Sequence, residues 1–207
     1  MKYTSQLMQD RPELLPLQEN LEKAVQVAVQ CYQQGGTIFT CGNGGSAADS
    51  EHIVGELLKG FLKKRPLSPD VAQRINEQAG ADIACRLQQG LGAVSLVSFS
   101  AAQTAVINDL GADLMYAQQL TGLCKKGDVV IGLSTSGNAA NVANAFYVAK
   151  ALGATTIAMT GRTGGKLREV ADILLNVPAD ETPRIQEYHL PVYHAFCADV
   201  EEHFFQA

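Results

Sequence analysis

The 207-residue chain is short of the features that mark a membrane, secreted or nucleic-acid-binding protein. No run reaches the about 18 apolar residues of a membrane span. The longest candidate, residues 93–107, is broken by three serines, Gln103 and Thr104. The opening MKYTSQLMQDRPELL carries acids and a proline where a secretory signal needs an apolar centre, so a cytoplasmic location is expected. Cysteine is scarce and scattered. Cys31, Cys41, Cys85, Cys124 and Cys197 are odd in number and form no CxxC, which suits reduced thiols better than a disulfide framework or a zinc knuckle. Cations are outnumbered, 16 Lys and Arg against 21 Asp and Glu, and only Lys63, Lys64 and Arg65 cluster. Nucleic acid binding needs many cations gathered on one face, so it is excluded as a main function. A small anion can still be held by backbone amides and hydroxyls.

What is present is ordinary globular usage, 46% hydrophobic and 18% charged, at a length that suits one domain. Residues 17–34 hold Leu21, Ala24, Val25, Ala28 and Val29 on one helical face and stop at Gly35 and Gly36. An apolar run at residues 37–41, a glycine loop at 42–46 and a helical pattern over 47–62 then give strand, loop, helix. The unit recurs at residues 128–133, 134–138 and 139–152. Further strands are expected at 93–99, 155–160 and 173–177, a short helix at 166–170, and a closing helix at 184–205 kinked at Pro191. Apolar strands alternating with helices predict a parallel sheet covered on both faces, with ligands at the carboxyl ends of the strands. Residues 64–92 read as a helical insertion, opened by Ser68 and Pro69. It is too small for its own core, so it is expected to pack near the site mouth or at an oligomer contact.

Two loops could hold a phosphate. The loop 42–46 lets backbone approach an anion at a helix N-terminus, and Ser134, Thr135 and Ser136 offer three hydroxyls at the end of another strand. Residues 42–47 fit GxGxxA, but the dinucleotide fingerprint also needs an acidic residue ending a second strand about 20 residues on. Positions 61–65 are Phe, Leu, Lys, Lys and Arg, and no GxxxxGK[ST] occurs. Glycine and serine also serve plain turns and caps, yet two such loops at one sheet edge favour a ligand. His52 and Glu56, spaced i, i+4, share a helix face one turn beyond the first loop, which suits either a general base with its neighbour or a metal pair. Gln186, His189 and His194 form a second candidate cluster on the last helix.

CGNGGSAADSEH (41–52) with Glu56, NDLG (108–111), LSTSGN (133–138), ANV (140–142), TGRTGGKL (160–167) and RIQEYHLPVYH (184–194) resemble the phosphoheptose isomerases of the sugar isomerase (SIS) domain superfamily. The resemblance implies an α/β fold, a three-layer α/β/α sandwich around a five-stranded parallel sheet. It implies one SIS domain over 1–207 with an N-terminal helical segment 1–35, assembled as a homotetramer with sites at subunit interfaces. It implies isomerisation of sedoheptulose 7-phosphate to a manno-heptose 7-phosphate through an enediol, with no nucleotide cofactor. By motif, Asn43, Gly44, Gly45, Ser46, Asn108, Asp109, Ser134, Thr135, Ser136 and Gln186 resemble substrate-binding positions. Glu56 and His194 match a catalytic pair, and His52, Glu56, Gln186 and His194 match a zinc site. Two alternatives share the resemblance: an isomerase of another phosphosugar, and a non-catalytic SIS protein like the one that associates with the replication initiator DnaA.

Overall fold

Strands without polar alternation need cover on both faces, and here they have it. The computed structural model describes residues 1–205. Its strands are β1 (Ile38–Gly42), β2 (Ala93–Ser95), β3 (Val129–Ser134), β4 (Thr155–Thr160) and β5 (Ile173–Asn176). All pair in parallel, in the order β2-β1-β3-β4-β5. Every residue of β1 and β3 is buried. Successive side chains divide between two cores: Ile38, Val129, Ile131 and Leu133 face one, Phe39, Cys41 and Val130 the other. The first core is closed by α1 (Lys2–Asp10), α2 (Gln18–Gln33), α3 (Gly45–Leu58) and α9 (Thr182–Phe204). The second is closed by α6 (Met115–Leu123), α7 (Ala140–Ala151) and α8 (Leu167–Val170), with α5 (Ser100–Asp109) packed on α6.

Three boundaries differ from the sequence expectation. The strand expected at 93–99 stops at Ser95, because Gln103 Nε2 takes the carbonyls of Leu96 and Val97 at 2.7 Å each. The helix expected to reach residue 62 ends at Leu58. There the wholly buried Arg65 guanidinium claims the carbonyls of Leu57 (2.6 Å) and Glu56 (2.9 Å), so the orphan C-terminal groups are satisfied without further turns. Finally, α9 begins at Thr182, two residues before the expected start, and runs 23 residues with Pro191 inside it.

Within the insertion, α4 (Pro69–Ala79) is capped by Ser68, ends at the left-handed Gly80, and buries none of its residues. The two ends of the insertion pair with each other, Gln89 N donating to Arg65 O (2.7 Å), and the second end reaches α3, Leu91 N donating to Leu57 O (2.9 Å). Among the described residues no helix is long and apolar enough to cross a membrane.

Candidate active site

Strand order places the site. From β1 the chain crosses to β2 on one side, while β3 lies on the other, so the carboxyl ends of β1 and β3 flank a topological switch point where α/β proteins bind ligands. Both suspected phosphate loops issue there, one into α3 and one toward α7. A reciprocal amide pair joins them, Asn43 Nδ2 to Asn141 Oδ1 and Asn141 Nδ2 to Asn43 Oδ1, both at 2.9 Å. Gly44 precedes the first turn of α3 at φ +57°, a conformation that side chains rarely adopt. Gly137 combines φ +68° with an approach to the Gly164 carbonyl that leaves no room for a Cβ.

The loop side chains divide by exposure. Asn43, Gly44 and Gly45 are open to solvent and Ser46 is buried. Ser134 is buried, its Oγ accepting from Ala139 N at 3.4 Å, Thr135 is half-buried, and exposed Ser136 accepts from Asn138 N at 3.2 Å. Thr182, at the start of α9, meets Thr135 hydroxyl to hydroxyl at 3.4 Å. Gln186, one turn along α9, fills the space that a Cβ on Gly45 would take. Asn108 and Asp109 lie exposed at the end of α5, Asn108 Nδ2 donating to Asp109 Oδ1 at 2.7 Å. Among the described residues no side-chain hydrogen bond runs from them to either loop.

Two turns along α3 the titratable groups gather. His52 Nε2 lies 3.0 Å from Glu56 Oε1, as the i, i+4 spacing anticipates, and the His194 ring stands edge-on to His52 with centroids 5.1 Å apart. One ligand atom from each of His52, Glu56 and His194 falls within 4.8 Å of the others. Glu56 Oε2 and His194 Nε2 are buried without a hydrogen-bond partner, although Lys59 Nζ comes to 3.7 Å from the former. Zinc ligands at their usual bond lengths sit about 3.4 Å apart, so a small contraction would seat a divalent ion on these three groups. Gln186, expected as a fourth ligand, has its amide against Gly45, seven residues and about 10 Å of helix axis before His52.

Burial, then the neighbouring His52, holds His194 below the usual histidine range against the opposing pull of Glu56, so it is neutral at neutral pH. His189, the third member of the second candidate cluster, belongs to the core. It is wholly buried behind β4, Nε2 3.3 Å from Thr160 O, and burial lowers its pKa to about 4.

Sequence reasoning missed four members of this surface. Phe61 packs on His194 at 5.3 Å between centroids, Thr182 reaches the second loop, and Asp49 and Tyr193 back His52. Asp49 stands one turn before His52 and Tyr193 adjoins His194, so sequence proximity was the available signal.

Known proteins resemble this chain in sequence and in fold. The SIS domain family model matches residues 6–92 and 86–161. A phosphoheptose isomerase of Aliarcobacter butzleri is 41% identical over 185 residues, covering 89% of this chain and 86% of the relative. One from Helicobacter pylori strain P12 is 38% identical over 194 residues, covering 94% and 89%. Among solved structures, phosphoheptose isomerase from Neisseria gonorrhoeae superposes with TM-score 0.75 at 34% identity, over 96% of this chain and 93% of the other. The Francisella tularensis enzyme gives 0.76 at 28% identity, over 97% and 95%. The chain belongs to the SIS domain family and, within it, to the phosphoheptose isomerases.

Proposed function

We propose that the chain interconverts sedoheptulose 7-phosphate and a manno-heptose 7-phosphate, working in the cytoplasm as a homo-oligomer, most simply a tetramer. The observation that carries this reading is the meeting of Glu56, His52 and His194 on the helices that also bear the phosphate-binding loop and Gln186.

A phosphate at residues 43–46 meets the amides of Gly44 and Gly45 at the positive end of α3, a 14-residue helix, and the hydroxyls of Ser134, Thr135 and Ser136. Gln186 and Thr182 add donors from α9. The sugar then extends along α3 toward Glu56. There the Glu56 carboxylate takes a proton from C1 of the ketose, and the C–H electron pair becomes the C1–C2 double bond as the C2 oxygen gains a proton. The same carboxyl returns a proton to C2 while the C1 hydroxyl gives up its own, leaving the aldehyde. Neutral His194 carries the proton between the two oxygens. Glu56 can combine two duties because Oε1 is engaged by His52 whereas Oε2 has no hydrogen-bond partner. A divalent ion on His52, Glu56 and His194, zinc in our reading, would polarise the carbonyl.

The test is proton exchange. Purified protein mixed with a panel of ketose phosphates in deuterated water is followed by loss of the C1 proton signal, which reports enediol formation whatever the product. Exchange should be fastest with sedoheptulose 7-phosphate. Faster exchange with a shorter ketose phosphate reassigns the substrate, and none with any of them overturns the reaction.

A further inference from the structure

We infer that Asn141 is a positioning residue that holds the Asn43 carboxamide across the switch point, so that the donor and acceptor left over on Asn43 meet the sugar hydroxyls next to the phosphate. This rests on the proposed function in taking residues 43–46 as the seat of a phosphorylated sugar. Asn141 stands half-buried in the first turn of α7, whereas Asn43 is exposed in the first loop, 98 positions away in the chain. Among the described residues their two amide bonds are the only side-chain hydrogen bonds from the first loop to α7 or to the second loop.

Both backbones are fixed without this pair. Asn43 O accepts from Ser46 N at 3.1 Å, a Cβ on Gly42 would run into the Ser46 backbone, and the buried Tyr116 phenol donates to Gly42 O. On the other side, wholly buried Val142 and Phe146 fill the space where a Cβ on Gly132 of β3 would stand, which seats the start of α7 on the sheet. What the pair adds is therefore the orientation of two side chains and not the fold. A carboxamide has two N–H donors and an oxygen with two lone pairs. The pair takes one of each from either partner, and turning one amide over alone would set N–H against N–H and oxygen against oxygen. Asn43 is thus held in one plane with an N–H and a lone pair to spare, on the loop that opens α3. A hydroxyl both donates and accepts, so a sugar hydroxyl can use the two together. Because Asn141 has already removed the rotamer freedom of Asn43, the ligand does not have to.

Asn141→Ala removes the partner amide, and Asn141→Leu, which keeps its shape, serves if the first folds poorly by circular dichroism. In ligand-free, ¹⁵N-labelled full-length protein the side-chain amide of Asn43 is assigned by the signal lost in Asn43→Ala. Its order parameter should fall from near the rigid value of about 0.85 to below about 0.6 in either Asn141 variant. By titration calorimetry the variant should bind sedoheptulose 7-phosphate about tenfold more weakly than the parent, and KM should rise by more than kcat falls. Asn43→Ala should lose at least as much, and adding Asn141→Ala to it should change affinity by less than about twofold, because Asn141 acts through Asn43. A merely structural Asn141 would lower the melting temperature and leave the Asn43 order parameter at its parental value. The inference is overturned by an unchanged order parameter, by a variant that binds within about twofold of the parent or more tightly, or by a further loss of about tenfold in the Asn43→Ala background, which would make Asn141 a ligand contact in its own right. A parent that binds no sugar phosphate, with the order parameter falling in the variants, overturns the proposed function and leaves the positioning of Asn43 standing.

Discussion

Removing Arg65 should unfold the protein far more readily than removing an exposed cation. Arg65 is wholly buried, its Nε donates to Glu201 Oε1 at 2.7 Å, and its two terminal nitrogens hold the carbonyls of Leu57 and Glu56. Glu201 in turn accepts from the amides of Phe61 (2.8 Å), Leu62 (2.8 Å) and Lys63 (3.2 Å). Breaking one side of a buried pair costs about 3–5 kcal/mol, because the surviving charge is stranded. Arg65→Met should therefore lower the melting temperature by about 10 °C for a chain of this size. The discriminating variant is the double replacement Arg65→Met with Glu201→Met. An isolated buried pair exchanged for apolar side chains often loses nothing. Here the Glu56 carbonyl and three amides would also lose their partners, while Leu57 O keeps the Leu91 amide, at about 1–3 kcal/mol for each group that stays buried and unpaired. The double variant should thus remain at least about 3 kcal/mol below the parent by urea denaturation. Recovery to parental stability would show that the pair is a simple ion pair, and that the backbone bonds drawn to it carry no weight.

Glu56→Gln should abolish C1 proton exchange while leaving phosphosugar binding largely intact, since it removes the proton acceptor and keeps the shape; turnover within about tenfold of the parent would sink the general-base role. Between pH 6.5 and about 4 the unfolded chain holds a proton on His189 that the folded chain refuses, so stability should fall with pH across that window. The loss reaches about 3 kcal/mol at its fullest. His189→Gln, which still donates to Thr160 O and does not titrate, should flatten that slope in urea melts, and equal slopes would refute the assignment. Light scattering at micromolar concentration should give an oligomer of the chain, and a monomer would count against a tetramer.

The fold was largely legible because its strands are unbroken apolar runs punctuated by glycine, and the i, i+4 placement of His52 and Glu56 needs only helical geometry. α5 and α6 were not, since alanine, serine, threonine and glutamine give Ser100–Asp109 and Met115–Leu123 little apolar periodicity. Arg65 was the most misleading residue. In the sequence it ends a basic triplet that suggests a solvated surface, yet its partner lies 136 positions away. Gln186 shows the same limit: a motif match names it, but only the packing of α9 on α3 sets its amide against Gly45.

That α9 carries Thr182, Gln186, Tyr193, His194 and Glu201 on one uninterrupted helix restricts how the sequence can vary over evolutionary time. Each residue added or deleted turns everything beyond it by about 100° and moves it about 1.5 Å. A single insertion between Gln186 and His194 would therefore swing His194, Tyr193 and Glu201 away from their partners together, whatever amino acid was inserted. Substitutions on the exposed side of this helix can accumulate freely, whereas changes in its length should be confined to the loop before Thr182 and the residues beyond Phe204.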